Sequence, residues 1–168
     1  MGMLTVDLAI PPSYNHCIAH TPFGGIPTRP YANWLNDAHS AIRAAMLAAG
    51  LETDAEGWWR VRIAIYCGMG RRGDIDGYAK PILDALGGAR QNEKRKIERA
   101  GLVYRDDAQV AELHVRLVAV RMRNEESYVS VSCERTASPI DRVEAEKQAR
   151  RRAREAKRGV RHPCSTAT

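Results

Sequence analysis

The ten residues WWRVRIAIYC (58–67) place Trp59, Val61, Ile63, Ile65 and Cys67 at every second position. Only an extended chain lays that spacing along one face, so the segment demands a sheet and a cover for its apolar side. LTVDLAI (4–10) has the same period, with Leu4, Val6, Leu8 and Ile10 opposed to Thr5, Asp7 and Ala9, and it is closed by Pro11 and Pro12. Between them the period changes. In YANWLNDAHSAIRAAMLAAG (31–50), Trp34, Leu35, Ala38, Ile42, Met46 and Leu47 recur three and four residues apart, which predicts a helix stopping at Gly50. The preceding stretch 13–30, rich in Pro and Gly, reads as a loop.

A second helix is expected to carry Ile82, Leu83 and Leu86 and to end at Gly87 and Gly88. Proline is tolerated in a first helical turn and disfavoured beyond it. Pro81 therefore predicts a start no earlier than Asp76, with Asp76 or Gly77 near the N-cap. Residues 89–100 are charged and read as a solvated insert or short helix. Residues 111–122 and 127–134 read as strands, joined through RNEE (123–126) as a hairpin. The resulting order βαβαββ predicts an α/β (α+β) fold: a small mixed sheet with two helices packed against it.

Charge separates the chain into two parts. Residues 141–168 hold nine Lys/Arg and four Asp/Glu, whereas the first 140 hold seventeen and sixteen. The expected organisation is a nearly neutral domain, 1–140, and a basic C-terminal tail, 141–168, helical or disordered. The tail has too little apolar content to bury much, so it either binds nucleic-acid phosphates or serves as a solvated helix aiding solubility. No basic leader precedes an apolar segment, and no apolar run approaches the roughly 20 residues needed to span a bilayer. Cys17, Cys67, Cys133 and Cys164 lack CxxC spacing, which fits reduced thiols. A soluble cytoplasmic protein with no membrane partner is expected.

The chemistry concentrates in RRGDIDGYAKPILDAL (71–86). If GDID is extended, Asp74 and Asp76 project to one side. Two such charges about 4 Å apart repel by about 4 kcal/mol at an effective dielectric of 20. Wide solvation, protonation of one acid or a bridging cation removes that cost, and for a cation oxygen-only ligands favour Mg²⁺, Mn²⁺ or Ca²⁺ over zinc. Alone, the Asp-x-Asp pair is more readily a solvated turn capping a helix. The second acidic segment, VYRDDAQV (103–110), shifts the balance, because Asp106 and Asp107 stand at the entrance of a strand that could lie beside GDID. Lys80, one helical turn after Asp76, adds a cation suited to phosphate.

The combination D-x-D-x-x-x-K-x-x-x-D-A-L, a short insert, then Y-x-D-D-A-Q-V resembles the RusA family of Holliday junction resolvases. AIPPSYNH (9–16) is similar to that family's Pro-Pro-Ser-x-Asn opening, and the resemblance spans roughly residues 4–134. It implies a small homodimeric, Mg²⁺-dependent endonuclease of phages and prophages, with Mn²⁺ a natural substitute, acting on branched DNA such as a four-way junction. Carried over by residue, the metal-binding acids fall on Asp74, Asp76 and Asp107 and the active-site lysine on Lys80. Asp84 and Asp106 take supporting roles, and Asp84 fits an ion pair or hydrogen bond on its helix equally well. Arg71 and Arg72 are placed to contact flanking phosphates. Two departures stand out: Gly77 where the family commonly has Asn, and the longer insert 89–100.

Two other readings stay open: a metal-dependent nuclease on other DNA substrates, and a non-catalytic DNA-binding protein relying on the tail. Other features carry less. His16, Cys17 and His20 lack a fourth ligand for zinc. Trp59 reads as core, His114 as a polar-face residue, and Asn15 as a loop stabiliser or a substrate contact.

Overall fold

The structure, a computed structural model, describes residues 2–22, 24–54, 56–68, 74–87, 102–120 and 127–159. In chain order the elements are β1 (Leu4–Ala9), a 3-10 turn (Tyr14–His16), β2 (Ile18–Thr21), β3 (Gly24–Pro27), α1 (Arg29–Ala49) and β4 (Trp58–Gly68). They continue with α2 (Ile75–Leu86), a second 3-10 turn (Asp107–Gln109), β5 (Val110–Val120), β6 (Tyr128–Thr136) and α3 (Pro139–Gly159). Two compact units result, Met1–Thr136 and Ala137–Thr168. Among the described residues no helix is long and apolar enough to cross a membrane.

The first unit is built on a four-stranded mixed sheet of order β1-β6-β4-β5. β4 and β5 run parallel, and β6 is antiparallel to both β1 and β4. The register sets Val6, Val131, Ile63 and Val115 in one row across the sheet. In the three strands other than β5, the inward apolar residues are at most 8% exposed. α1 packs on β1 and on α2, and α2 packs on β5. The fold is α+β, with the βαβαββ order expected from the alternating hydrophobic periods.

The α1 period is borne out with one exception. Tyr31, Trp34, Leu35, Ala38, Ile42 and Met46 are buried, whereas Leu47 is 83% exposed. The helix stops at Gly50, whose left-handed φ of 63° lets its N–H and that of Leu51 return to the last carbonyls, at Leu47 and Met46. The Trp34 indole N–H donates to the Ala9 carbonyl at 2.8 Å, tying α1 to the end of β1.

Three expectations are corrected. The loop 13–30 contains the β2–β3 hairpin, which hydrophobic periodicity could not signal because β3 is exposed throughout and the pairing is backbone to backbone. α2 begins at Ile75, with Asp74 as its N-cap, and holds Pro81 well inside. That proline removes the bond the Gly77 carbonyl would otherwise accept, and the helix tolerates the loss because Ile82, Ala85 and Leu86 are completely buried. Finally, β5 and β6 do not form a hairpin. β4 lies between them, so that its Val61, Ile63 and Ile65, at most 1% exposed, gain a paired strand on each side. The connection 121–126, with its RNEE, lies outside the described residues, as does the insert 89–100.

Candidate functional site

The site is organised by where α2 ends. Gly87 sits against Tyr104, and an added Cβ there would come within 2.6 Å of the tyrosine ring and 3.1 Å of Asp107 Oδ1. Only a glycine permits that approach. The chain 102–104 is fastened on both sides. Leu102 and Val103 donate their N–H groups to the Leu86 carbonyl, while Thr53 Oγ1 donates to the Leu102 carbonyl and the Asp54 N–H to that of Val103. Tyr104 is fully buried, and its hydroxyl donates to the Leu83 carbonyl at 3.3 Å. Burial, followed by the negative charges of Asp107 and Asp84, holds its phenol pKa well above 10.

Asp106 and Asp107 follow directly and serve different ends. Asp106 accepts the Ala108 N–H at 2.8 Å and forms a capping box with Gln109, whose Oε1 accepts the N–H groups of Arg105 and Asp106. The Gln109 amide also donates to the carbonyls of Asp54 and Gly57, bracing the turn against the 54–57 loop. Asp107 instead faces α2. Its Oδ2 accepts Lys80 Nζ at 2.7 Å, and the same ammonium donates to Asp84 Oδ1 at 2.6 Å. The other Asp84 oxygen lies 3.5 Å from the Tyr31 hydroxyl.

Lys80 thus joins two carboxylates from elements distant in sequence, all three side chains 29–43% exposed. Partial burial alone would lower its pKa. The hydrogen bonds and charges of Asp107 and Asp84 outweigh that and raise it above the ordinary 10.5, so the lysine is a cation at neutral pH.

Asp74 and Asp76 stand apart from this cluster. Asp74 has extended backbone (φ −72°, ψ 139°) and its side chain makes no capping bond, while Asp76 Oδ1 accepts the Gly77 N–H at 3.0 Å. Both are exposed. At about 1.5 Å per residue, Asp76 lies about 6 Å along the helix axis from Lys80. Asp107 meets α2 further on, at Lys80, Asp84 and Gly87. The unbonded amides of the α2 N-terminus favour carboxylates there, by about 0.3–1 kcal/mol each. Gly77 packs near the Pro-Pro-Ser segment, where an added Cβ would be 3.3 Å from Ser13 Oγ. Arg71 and Arg72 lie outside the described residues.

The donor set of Asp74, Asp76 and Asp107 is all carboxylate oxygen, which suits Mg²⁺ or Mn²⁺ in chemistry. A ready-made cage is not present: among the described residues, no three His, Cys, Asp or Glu side chains converge on a metal position. The structure brings together Lys80, Asp84 and Asp107; it leaves Asp74 and Asp76 solvent-facing at the helix start.

The remaining sequence candidates find structural places. Cys17 is buried with its thiol against the Pro12 and Ser13 carbonyls, and burial, then the Asp84 charge, pushes its pKa up to about 11. Trp59 is core at 1% exposure. His114 lies on the open face of the sheet, 3.7 Å from Glu112. Sequence reasoning passed over the roles of Gln109 and Tyr31, and it read Gly87 as a helix stop without the close approach to Tyr104. Only Gln109 had a visible signal, the D-x-x-Q spacing of a capping box. No protein-family model matches this chain, and no curated protein matches it significantly.

Proposed function

We propose that this protein is a metal-dependent DNA endonuclease that resolves four-way junctions by paired, symmetric strand cleavage. The observation that carries the reading is the Lys80 ammonium held by Asp84 and Asp107, on the helix whose start carries two solvent-facing aspartates. Metal-assisted phosphodiester hydrolysis uses carboxylates to hold a hard cation and gains from a positive charge at the phosphate, and these residues supply both.

In this reading Asp74, Asp76 and Asp107 hold Mg²⁺, with Mn²⁺ an effective substitute. When bound, the metal supplies an activated water and stabilises charge on the phosphate oxygens. Lys80 engages a non-bridging phosphate oxygen and neutralises charge developing in the transition state. Asp84 anchors the lysine while Asp107 serves the metal, and Asp106 keeps the turn carrying Asp107 in shape. Arg71 and Arg72 position the strand through flanking phosphates. A four-way junction offers two symmetry-related strands, so a C2 homodimer sets one site at each. Such a protein works in the cytoplasm of a bacterial cell, encoded by a phage, a prophage or the chromosome.

The test compares cleavage of a synthetic four-way junction with that of a linear duplex of matched sequence, using wild type and Asp74→Asn, with Mg²⁺ and with EDTA. Paired nicks on the junction alone, lost in the variant and in EDTA, are expected. Equal cutting of both substrates would make it a general nuclease, and binding without cutting under any metal would make it a non-catalytic DNA-binding protein.

A further inference from the structure

The helix α3 has no role in that chemistry, yet its charges are not scattered. Every residue from 140 to 155 is exposed, and the segment forms a compact unit of its own. At 100° per residue, Lys147, Arg150, Arg151 and Arg154 fall within an arc of about 100°. None of the helix's acids, Asp141, Glu144, Glu146 or Glu155, falls inside it. Arg152 lies about 150° from its centre, and Ala145, Ala149 and Ala153 occupy the opposite side.

Helix stability does not explain this stripe. Its members form four like-charge neighbours three or four residues apart (147/150, 147/151, 150/154 and 151/154), each costing about 0.2–0.5 kcal/mol in an isolated helix. Glu144, Glu146 and Glu155, three or four residues from Lys147, Arg150 and Arg151, offset part of that from the margins. The macrodipole favours cations only in the last turn, and these four lie before it in a helix that runs to Gly159. None of the four appears in an ion pair among the described residues. A partner with closely spaced negative charges converts the repulsion into binding. A lipid surface is a poor match, because the helix has only Ile140 and Val143 as large apolar residues, both in its first turns.

We propose that the face of α3 carrying Lys147, Arg150, Arg151 and Arg154 is a sequence-independent binding surface for the phosphate backbone of duplex DNA. The choice of duplex DNA rests on the endonuclease reading, but the contact needs neither metal nor cleavage, so its test can fail while that reading holds, and the reverse.

The test titrates the full-length protein into a labelled linear duplex over a salt series, in EDTA so that no strand is cut. Changing all four residues to Gln, which keeps helix propensity, is expected to lower affinity and to flatten the log–log salt slope by about 3 to 4. Replacing the three arginines by Lys should retain the slope, and Arg152→Gln should move it by less than Arg151→Gln does. Circular dichroism verifies that the helix persists in each variant. An unchanged slope in the fourfold variant, equal effects of Arg151→Gln and Arg152→Gln, or stripe-dependent capture by phosphatidylglycerol vesicles but not by duplex, would each overturn the proposal.

Discussion

The two acidic segments, Asp74 with Asp76 and Asp106 with Asp107, look alike in sequence and are built oppositely. The second pair stands on a turn fastened at every side. Tyr104 is buried beneath it, Gln109 ties it to the 54–57 loop, Gly87 makes room for Asp107, and Lys80 takes one of its oxygens. The first pair stands at an open helix start, with a single bond from a neighbouring N–H. Acids committed to internal partners define a framework, to which Asp107 adds its proposed place in the metal's ligand set. Acids left in water are free to take a ligand, and water and the helix terminus together offset their repulsion.

The braced side should fail first when its anchor is removed. Tyr104→Ala deletes a fully buried ring and is expected to cost about 3–5 kcal/mol of stability, measured by urea denaturation. Tyr104→Phe removes only the bond to the Leu83 carbonyl and should cost about 0.5–1.5 kcal/mol. If the alanine variant lost no more than the phenylalanine one, the turn would not depend on the buried ring.

Gln109→Ala is the next largest. It strands the carbonyls of Asp54 and Gly57 and opens the capping box, for an expected loss of about 1–3 kcal/mol. The spacing of Asp106 and Gln109 makes that box legible in sequence, but the partners of the amide are not, because residues more than fifty positions away supply them. The same limit applies across the molecule. Local periods reveal β1, α1, β4 and the buried face of α2, since each is set by its own apolar spacing. The β2–β3 pairing and the insertion of β4 between β5 and β6 escape that reading, because backbone hydrogen bonds and competition among strands decide them. At the site, residue types reveal the acids and the lysine, whereas only the fold shows that Lys80 bonds to Asp107 and that Asp74 faces water.

Lys80 links the two regions, and its ion pairs should show in the alkaline limb of stability. Its folded pKa is raised, so the stability it confers is fully present below the unfolded value of 10.5 and is lost as pH rises through the folded value above it. With the side chain 43% exposed, solvent screening holds the contribution to under about 1 kcal/mol. Wild type should exceed Lys80→Met by a constant margin from neutral pH to about 10, narrowing beyond 10.5. A margin that narrowed well below pH 10 would mean that the ammonium is not held by Asp84 and Asp107.

The smallest expected effect is the most informative about the open pair. Asparagine caps a helix about as well as aspartate, and neither Asp74 nor Asp76 is buried. Losing one charge forfeits its attraction to the helix terminus but relieves the repulsion between the pair, so Asp74→Asn and Asp76→Asn should each leave the unfolding free energy within about 0.5 kcal/mol of wild type. The same substitutions should weaken Mn²⁺ binding, followed by calorimetry on the DNA-free protein, because each removes a charged oxygen donor from the proposed ligand set. Asp106→Asn is the matched control, with its carboxylate engaged in a cap and outside that set; it should leave Mn²⁺ binding unchanged. If Asp74→Asn lost as much stability as Gln109→Ala, Asp74 would be a framework residue too, and the open pair would lose its claim to a ligand.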